Sequence, residues 1–282
     1  MKNLYLTLLA AGMLWNVVVA QSYYSDKVQK VWETQAVFKV PESAVYDISN
    51  DIIYVSNING DPTEENHEGF ISRLAIDGKV VELRWVNGLN APKGMGLIAD
   101  TLYVADVTQV VKIDTRLGEI RSRIDLPKAE FLNDIIIDDK GKVYISDTGN
   151  GAIYVLEHDK GDFLLPEGTF ERPNGLNRLD GLLYVGTRSF IKSVEPETLR
   201  IKTEIEARGG VDGLEIYKQK YFIFSDWLGK VQLADFSGNA TVLFNTTPES
   251  INAADIKLMG KSSLLLVPTF FDNKVMAYQI LE

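Results

Sequence analysis

Apolar and polar residues alternate in short runs along most of the chain, broken by Gly, Asp and Asn. This is the two-residue period of half-buried strands, not the 3.6-residue period of helices. The clearest stretch is 131–156, FLNDIIIDDKGKVYISDTGNGAIYVL. It holds an Asn-Asp pair, an apolar strand, a tight turn, a second strand ending in Ser-Asp, a Gly-rich turn and a third strand.

The same arrangement recurs. Strands centred on Tyr54, Tyr103, Tyr144, Tyr184, Phe222 and Leu265 are spaced by 49, 41, 40, 38 and 43 residues. Each follows an apolar strand and precedes a third, and segments such as 80–86 and 240–245 supply a fourth. Four antiparallel strands repeated about every forty residues predict an all-β fold, a six-bladed β-propeller. The chain finishes on the third strand of its last unit, whereas 27–38 is a strand-like segment ahead of the first. The two are expected to pair and close the ring, which removes an exposed sheet edge.

Residues 1–20 depart from this pattern. Lys2 precedes an apolar run ending in Val18-Val19-Ala20, the layout of a secretory signal peptide. The expected organisation is therefore a signal peptide over 1–20 and one propeller domain over 21–282, exported to the periplasm or secreted, with no stable membrane anchor after cleavage. The 282 residues contain no cysteine, so the fold must stand on its core without disulfides. A net charge of −10 argues against nucleic acid or an anionic membrane as partner and suits a cation or a neutral or cationic small molecule. Plain solubility is enough to account for a charge of this size. A small-molecule substrate or ligand is the expected partner.

In a propeller the first strand of each blade lines the central channel. Counting back ten to twelve residues from the strand markers places Glu42, Lys93, Asn133, Asn174, Asp212 and Asp255 at the six strand heads. Glu42, Asn133, Asn174 and Asp212 offer carboxylate and amide oxygens, a hard donor set that suits Ca²⁺ and accepts Mg²⁺ or Mn²⁺. Zinc would recruit His or Cys, and only His67 and His158 are present, both expected in loops.

PESAVYD (41–47), LND (132–134), RPNGL (172–176) and VDGL (211–214) resemble motifs of the regucalcin/gluconolactonase family of six-bladed propellers, in the right order over essentially the whole chain after residue 20. That resemblance implies a divalent-metal-dependent lactonase, with paraoxonase-like esterases as more distant relatives. Its metal ligands fall on Glu42, Asn133, Asn174 and Asp212. It also implies that Asp212, or Asp134, acts on the attacking water; the other role open to Asp134 is to hold a turn or the Asn133 amide.

Lys93, Phe131 and Asp255 are expected to face the substrate. Phe131 stands where the gluconolactonase branch has a sugar-binding Arg. Lys93 can anchor an anionic substrate, pair with Glu42 or face solvent. Trp85, Trp227, Phe131, Phe190, Phe270 and Phe271 are candidates to wall the channel mouth. Ser146-Asp147, Ser225-Asp226 and Ala105-Asp106 read as turn-capping residues. Two function classes follow: a metal-dependent hydrolase of a lactone or small ester, and a non-catalytic propeller that binds a ligand or protein at its mouth.

Overall fold

The computed structural model describes residues 22–281, so the expected signal peptide lies outside the described residues. Six antiparallel sheets follow one another around a ring. Blade 1 comprises Pro41–Asp47, Ile52–Asn57, Gly69–Ala75 and Val80–Leu89. Blade 2 comprises Pro92–Ile98, Thr101–Asp106, Gln109–Asp114 and Glu119–Asp125. Blade 3 is built from Leu132–Ile137, Val143–Asp147, Ile153–Glu157 and Lys160–Leu165. Blade 4 is built from Leu176–Leu179, Leu182–Gly186, Phe190–Glu195 and Arg200–Glu206. Blade 5 contains Leu214–Tyr217, Tyr221–Asp226, Lys230–Asp235 and Ala240–Asn245. Blade 6 takes Lys257–Met259, Leu264–Pro268 and Val275–Ile280 from the C-terminal end and its outer strand, Val28–Glu33, from the N-terminal end.

The closing strand pairs antiparallel with the C-terminal one, Val28 opposite Ile280 and Glu33 opposite Met276. Ring closure by the 27–38 segment is thus as its pattern implies. One feature was not anticipated: Tyr23–Tyr24 adds a fifth strand to blade 5, pairing with Phe244 and Asn245. Tyr24 stacks on Phe244 and Tyr278, at 6.1 Å from each, which fastens this strand across blades 5 and 6.

No blade buries both faces alone, and the apolar clusters show how the ring compensates. One cluster joins Val45 and Tyr54 of blade 1 to Leu102 and Val111 of blade 2. Others fill each remaining junction around to Leu266 and Ala277 of blade 6 against Ile53 and Leu74 of blade 1. The strand markers Tyr54, Tyr144 and Phe222 are buried in these seams. Burial at the junctions makes the blades mutually dependent.

Near the axis the innermost strands approach so closely that side chains must be absent. A Cβ on Gly94, Gly175 or Gly213 would lie 2.2–2.5 Å from backbone of the next blade. These glycines follow Lys93, Asn174 and Asp212, and they bring the strand heads together around the channel.

Candidate functional site

The Ser-Asp pairs do cap turns, and they also aim the strand heads. Asp147 accepts hydrogen bonds from the amides of Glu130 and Phe131, at 2.8 and 2.9 Å, and Ser146 Oγ accepts one from the Asp134 amide at 3.0 Å. In blade 5, Ser225 Oγ accepts from the Gly213 amide and donates to the Ala254 carbonyl, both at 2.8 Å. Asp106 holds the amides of Asn90 and Ala91, just before Lys93. In blades 2, 3 and 5 the second strand therefore fixes the entry of its own blade's first strand.

Glu42, Asn133, Asn174 and Asp212 all line one cavity of about 610 Å³ at the mouth of the channel. Their orientations follow from hydrogen-bond polarity. Thr148 donates its hydroxyl proton to the Pro173 carbonyl at 2.6 Å, so it can only accept from Asn133, whose Nδ2 lies 3.2 Å away. Asn174 likewise turns its Nδ2 to Asp212 Oδ1. Both amide oxygens, Asn133 Oδ1 and Asn174 Oδ1, are left buried without a hydrogen-bond partner, and so is Glu42 Oε2. An unpaired buried acceptor costs about 1–3 kcal/mol. Three at one cavity floor mark a place for an electropositive group.

Burial, reinforced by the charges of Asp212 and Asp255, pushes the Glu42 carboxyl well above its ordinary range, with Lys93 opposing. Asp212 is pushed up to about 7, first by burial and next by the Asp255 charge, against the Asn174 hydrogen bond. Crowded carboxylates that resist ionisation are relieved by a bound cation. Among the described residues, no group of three or more His, Cys, Asp or Glu side chains could hold a metal. The candidate set instead mixes two carboxylates with two amides, a hard-oxygen set that fits Ca²⁺ better than a soft ion. His67 and His158 sit in loops, away from this set.

Lys93 is fully buried, and its Nζ donates to the Pro62 and Ala91 carbonyls at 2.8 and 2.9 Å. It lies 4.4 Å from the centre of the Phe131 ring, and among the described residues it meets no carboxylate in a salt bridge. Burial pulls its pKa down to about 8, with the charge of Glu42 the main opposing influence. Lys93 thus stands beside the oxygen floor without neutralising it.

Asp134 and Asp255 occupy the next layer down. Asp134 accepts from the Ile135 and Leu176 amides, both at 2.6 Å, and burial raises it to about 7. Asp255 accepts from Ser43 Oγ at 2.5 Å. Neither lines the mouth cavity. The residue of blade 6 level with Asp212 is Ala254: its amide bonds the Pro268 carbonyl as that of Asp212 bonds Ser225. The count from Leu265 slips because this hairpin is longer. Leu265 pairs with Leu258, seven residues back, where Phe222 pairs with Ile216, six back.

Of the aromatic residues singled out by sequence, Trp227, Phe131, Phe270 and Phe271 line the mouth. Trp85 instead stacks on Tyr54 at 4.9 Å in the seam between blades 1 and 2, and Phe190 does not line the cavity. The cavity also recruits Arg172, Arg188, Thr148 and Thr187, which the repeat pattern did not single out. Thr148 and Thr187 directly follow the Asp147 and Gly186 ends of second strands, a position that could have pointed to them.

No protein-family model and no curated protein sequence matches the chain. Solved structures do. A gluconolactonase from Xanthomonas campestris superposes with a TM-score of 0.70 at 13% identity, covering 90% of this chain and 89% of that one. A streptogramin B lyase gives 0.63 at 12% identity, with 91% and 97% covered. A catalytically inactive virginiamycin B lyase from Staphylococcus aureus, solved with quinupristin, gives 0.62 at 13%, with 90% and 99% covered. The chain therefore shares the propeller fold of the gluconolactonase, the fold that its motifs imply. At these identities the likeness is one of fold, and function must be argued from the site.

Proposed function

We propose that the protein is an exported, divalent-metal-dependent hydrolase of a lactone or small ester. The observation that carries this reading is the set of three unpartnered buried oxygens, on Glu42, Asn133 and Asn174, beside the Asp212 carboxylate. These four residues would hold the ion, most suitably Ca²⁺, with Mg²⁺ or Mn²⁺ as substitutes. A divalent ion bound there supplies electrophilic stabilisation for charge developing on a carbonyl oxygen.

The chain's own residues then have defined tasks. Asn174 engages Oδ1 of Asp212, so Oδ2 is the oxygen available to take a proton from water. Asp212 lines the cavity beside the open oxygens of Glu42, Asn133 and Asn174, where it would act as base toward a water held there. Asp134, which accepts from the Leu176 amide of the next blade, is assigned to joining blades 3 and 4, and Asp255 to bracing blade 1 through Ser43. Lys93 and Phe131 flank the substrate.

The test is elemental analysis of the purified protein, followed by assay against a panel of lactones and aryl esters with chelator and with restored Ca²⁺. The proposal expects a bound divalent ion and Ca²⁺-restored hydrolysis. The second reading, a non-catalytic binding propeller, draws on the buried cation Lys93 close to the floor. It takes over if metal binds but the whole panel is inert.

A further inference from the structure

Resting on the lactone or ester reading, we infer that the substrate carries an apolar substituent, an alkyl chain or aryl ring, in place of the hydroxylated body of a sugar. The walls above the oxygen floor carry the argument. Trp227, Phe270 and Phe271 form an edge-to-face triad, with ring centres 5.4, 5.8 and 4.8 Å apart. Leu228 extends it, and Ile58 and Phe131 line other sides of the same cavity. Trp227, Leu228 and Phe271 remain 40%, 56% and 62% exposed. Large apolar side chains held open around a cavity of small-molecule size mark a surface that a ligand covers.

Most hydroxyl and ammonium groups of the walls already hold protein partners. Thr148 donates to Pro173 and accepts from Asn133. Thr187 donates to the Phe190 carbonyl and accepts from its amide. Lys93 is engaged by two carbonyls and faces the Phe131 ring. Arg188 gives one Nη to Glu171 at 3.2 Å in an exposed pair, so the donors left on that wall are those of Arg188 and Arg172. A ring of sugar hydroxyls would lose its bonds to water and find few replacements, which costs affinity for each one left unpaired.

Phe270 is anchored from below by Ile58, Ala91, Val107 and Ala254, so its ring is a fixed part of the wall.

The experiment compares kcat/KM of the Ca²⁺-loaded protein for γ-decalactone, γ-butyrolactone and gluconolactone. Decalactone is expected to exceed both others by about tenfold or more, since hydrophobic pockets discriminate at that level per group. Phe271→Ser, at an exposed position that spares the fold, should lower the decalactone-to-butyrolactone ratio by about tenfold. Gluconolactone turned over as well as decalactone, or a ratio unmoved by Phe271→Ser, overturns the inference while leaving the lactonase reading standing. A binding arm separates the two. Quenching of tryptophan fluorescence, assigned with Trp227→Phe, is followed with decanoate and with gluconate as probes. Tighter binding of decanoate supports the apolar wall even if no lactone or ester is hydrolysed; equal or weaker binding overturns it.

Discussion

Two successive layers of the same channel carry similar residues and behave in opposite ways. In the upper one, Glu42, Asn133 and Asn174 each keep a buried oxygen with no partner, and all three face the mouth cavity with Asp212. Deeper, Asp134, Asp255 and Glu215 are equally buried, but their oxygens are taken by the Leu176 amide, the Ser43 hydroxyl and the Lys257 ammonium. Burial raises the Asp212 and Asp134 carboxyls alike, to about 7. A raised carboxyl is therefore no mark of function in this molecule. What separates the layers is whether the protein satisfies its own acceptors: where it does, the polar groups lock adjacent blades together, and where it does not, acceptors stay open on the mouth cavity.

The largest test of that contrast is Asp212→Asn. It should remove Ca²⁺-dependent stabilisation and cut hydrolysis by about 10²-fold or more, while the chelated variant melts at or above the chelated parent. Activity within a few fold of the parent would show that Asp212 does not serve the reaction. In the lower layer, Asp134→Ala strands the Leu176 amide and should cost about 1–3 kcal/mol in denaturant unfolding. The loss should be the same with and without Ca²⁺; a loss confined to the Ca²⁺ form would erase the distinction between layers.

pH should separate the two states of the upper ring. Folded Asp212 holds its proton up to about 7, whereas an unfolded carboxyl releases it near 4. The folded state therefore binds more protons between these values, and this contribution to stability is present at low pH and lost as pH rises through about 7. In chelator, the gap in melting temperature between the parent and Asp212→Asn should widen from pH 5.5 to 8 in favour of the variant. Because the ligands must be deprotonated, the Ca²⁺-induced gain of the parent should grow over the same range. A Ca²⁺ effect independent of pH would count against these ligands. The smallest expected effect is that of Lys93→Met. Removing a cation that acts on Glu42 should tighten Ca²⁺ binding severalfold, and weaker binding would reassign Lys93 to holding the site together.

The strand period made the ring legible because every blade repeats the same alternation, and the unpaired sheet edge of the last unit called for the 27–38 strand. The oxygen set was legible for a related reason: Glu42, Asn133, Asn174 and Asp212 occur at a near-constant distance before a strand marker. Asp255 was misplaced by one layer where that distance changes, at the longer hairpin of blade 6. Arg172 and Arg188 lie in connections between strands, where no offset is kept, and Tyr23–Tyr24 is too short to show a period. Whether Asn133 and Asn174 leave their oxygens unpaired depends on a proton given by Thr148 and on the position of Asp212, relations between blades that a linear pattern does not carry.

The account rests on the upper ring being a cation site, and calorimetric titration of the chelator-treated protein with Ca²⁺ addresses it most directly. It predicts saturable binding at one site per chain, lost together in Glu42→Gln and Asp212→Asn and retained in Ser43→Ala beneath them. Absence of binding heat together with an unchanged melting temperature at saturating Ca²⁺, or binding that survives both upper-ring substitutions, would contradict it.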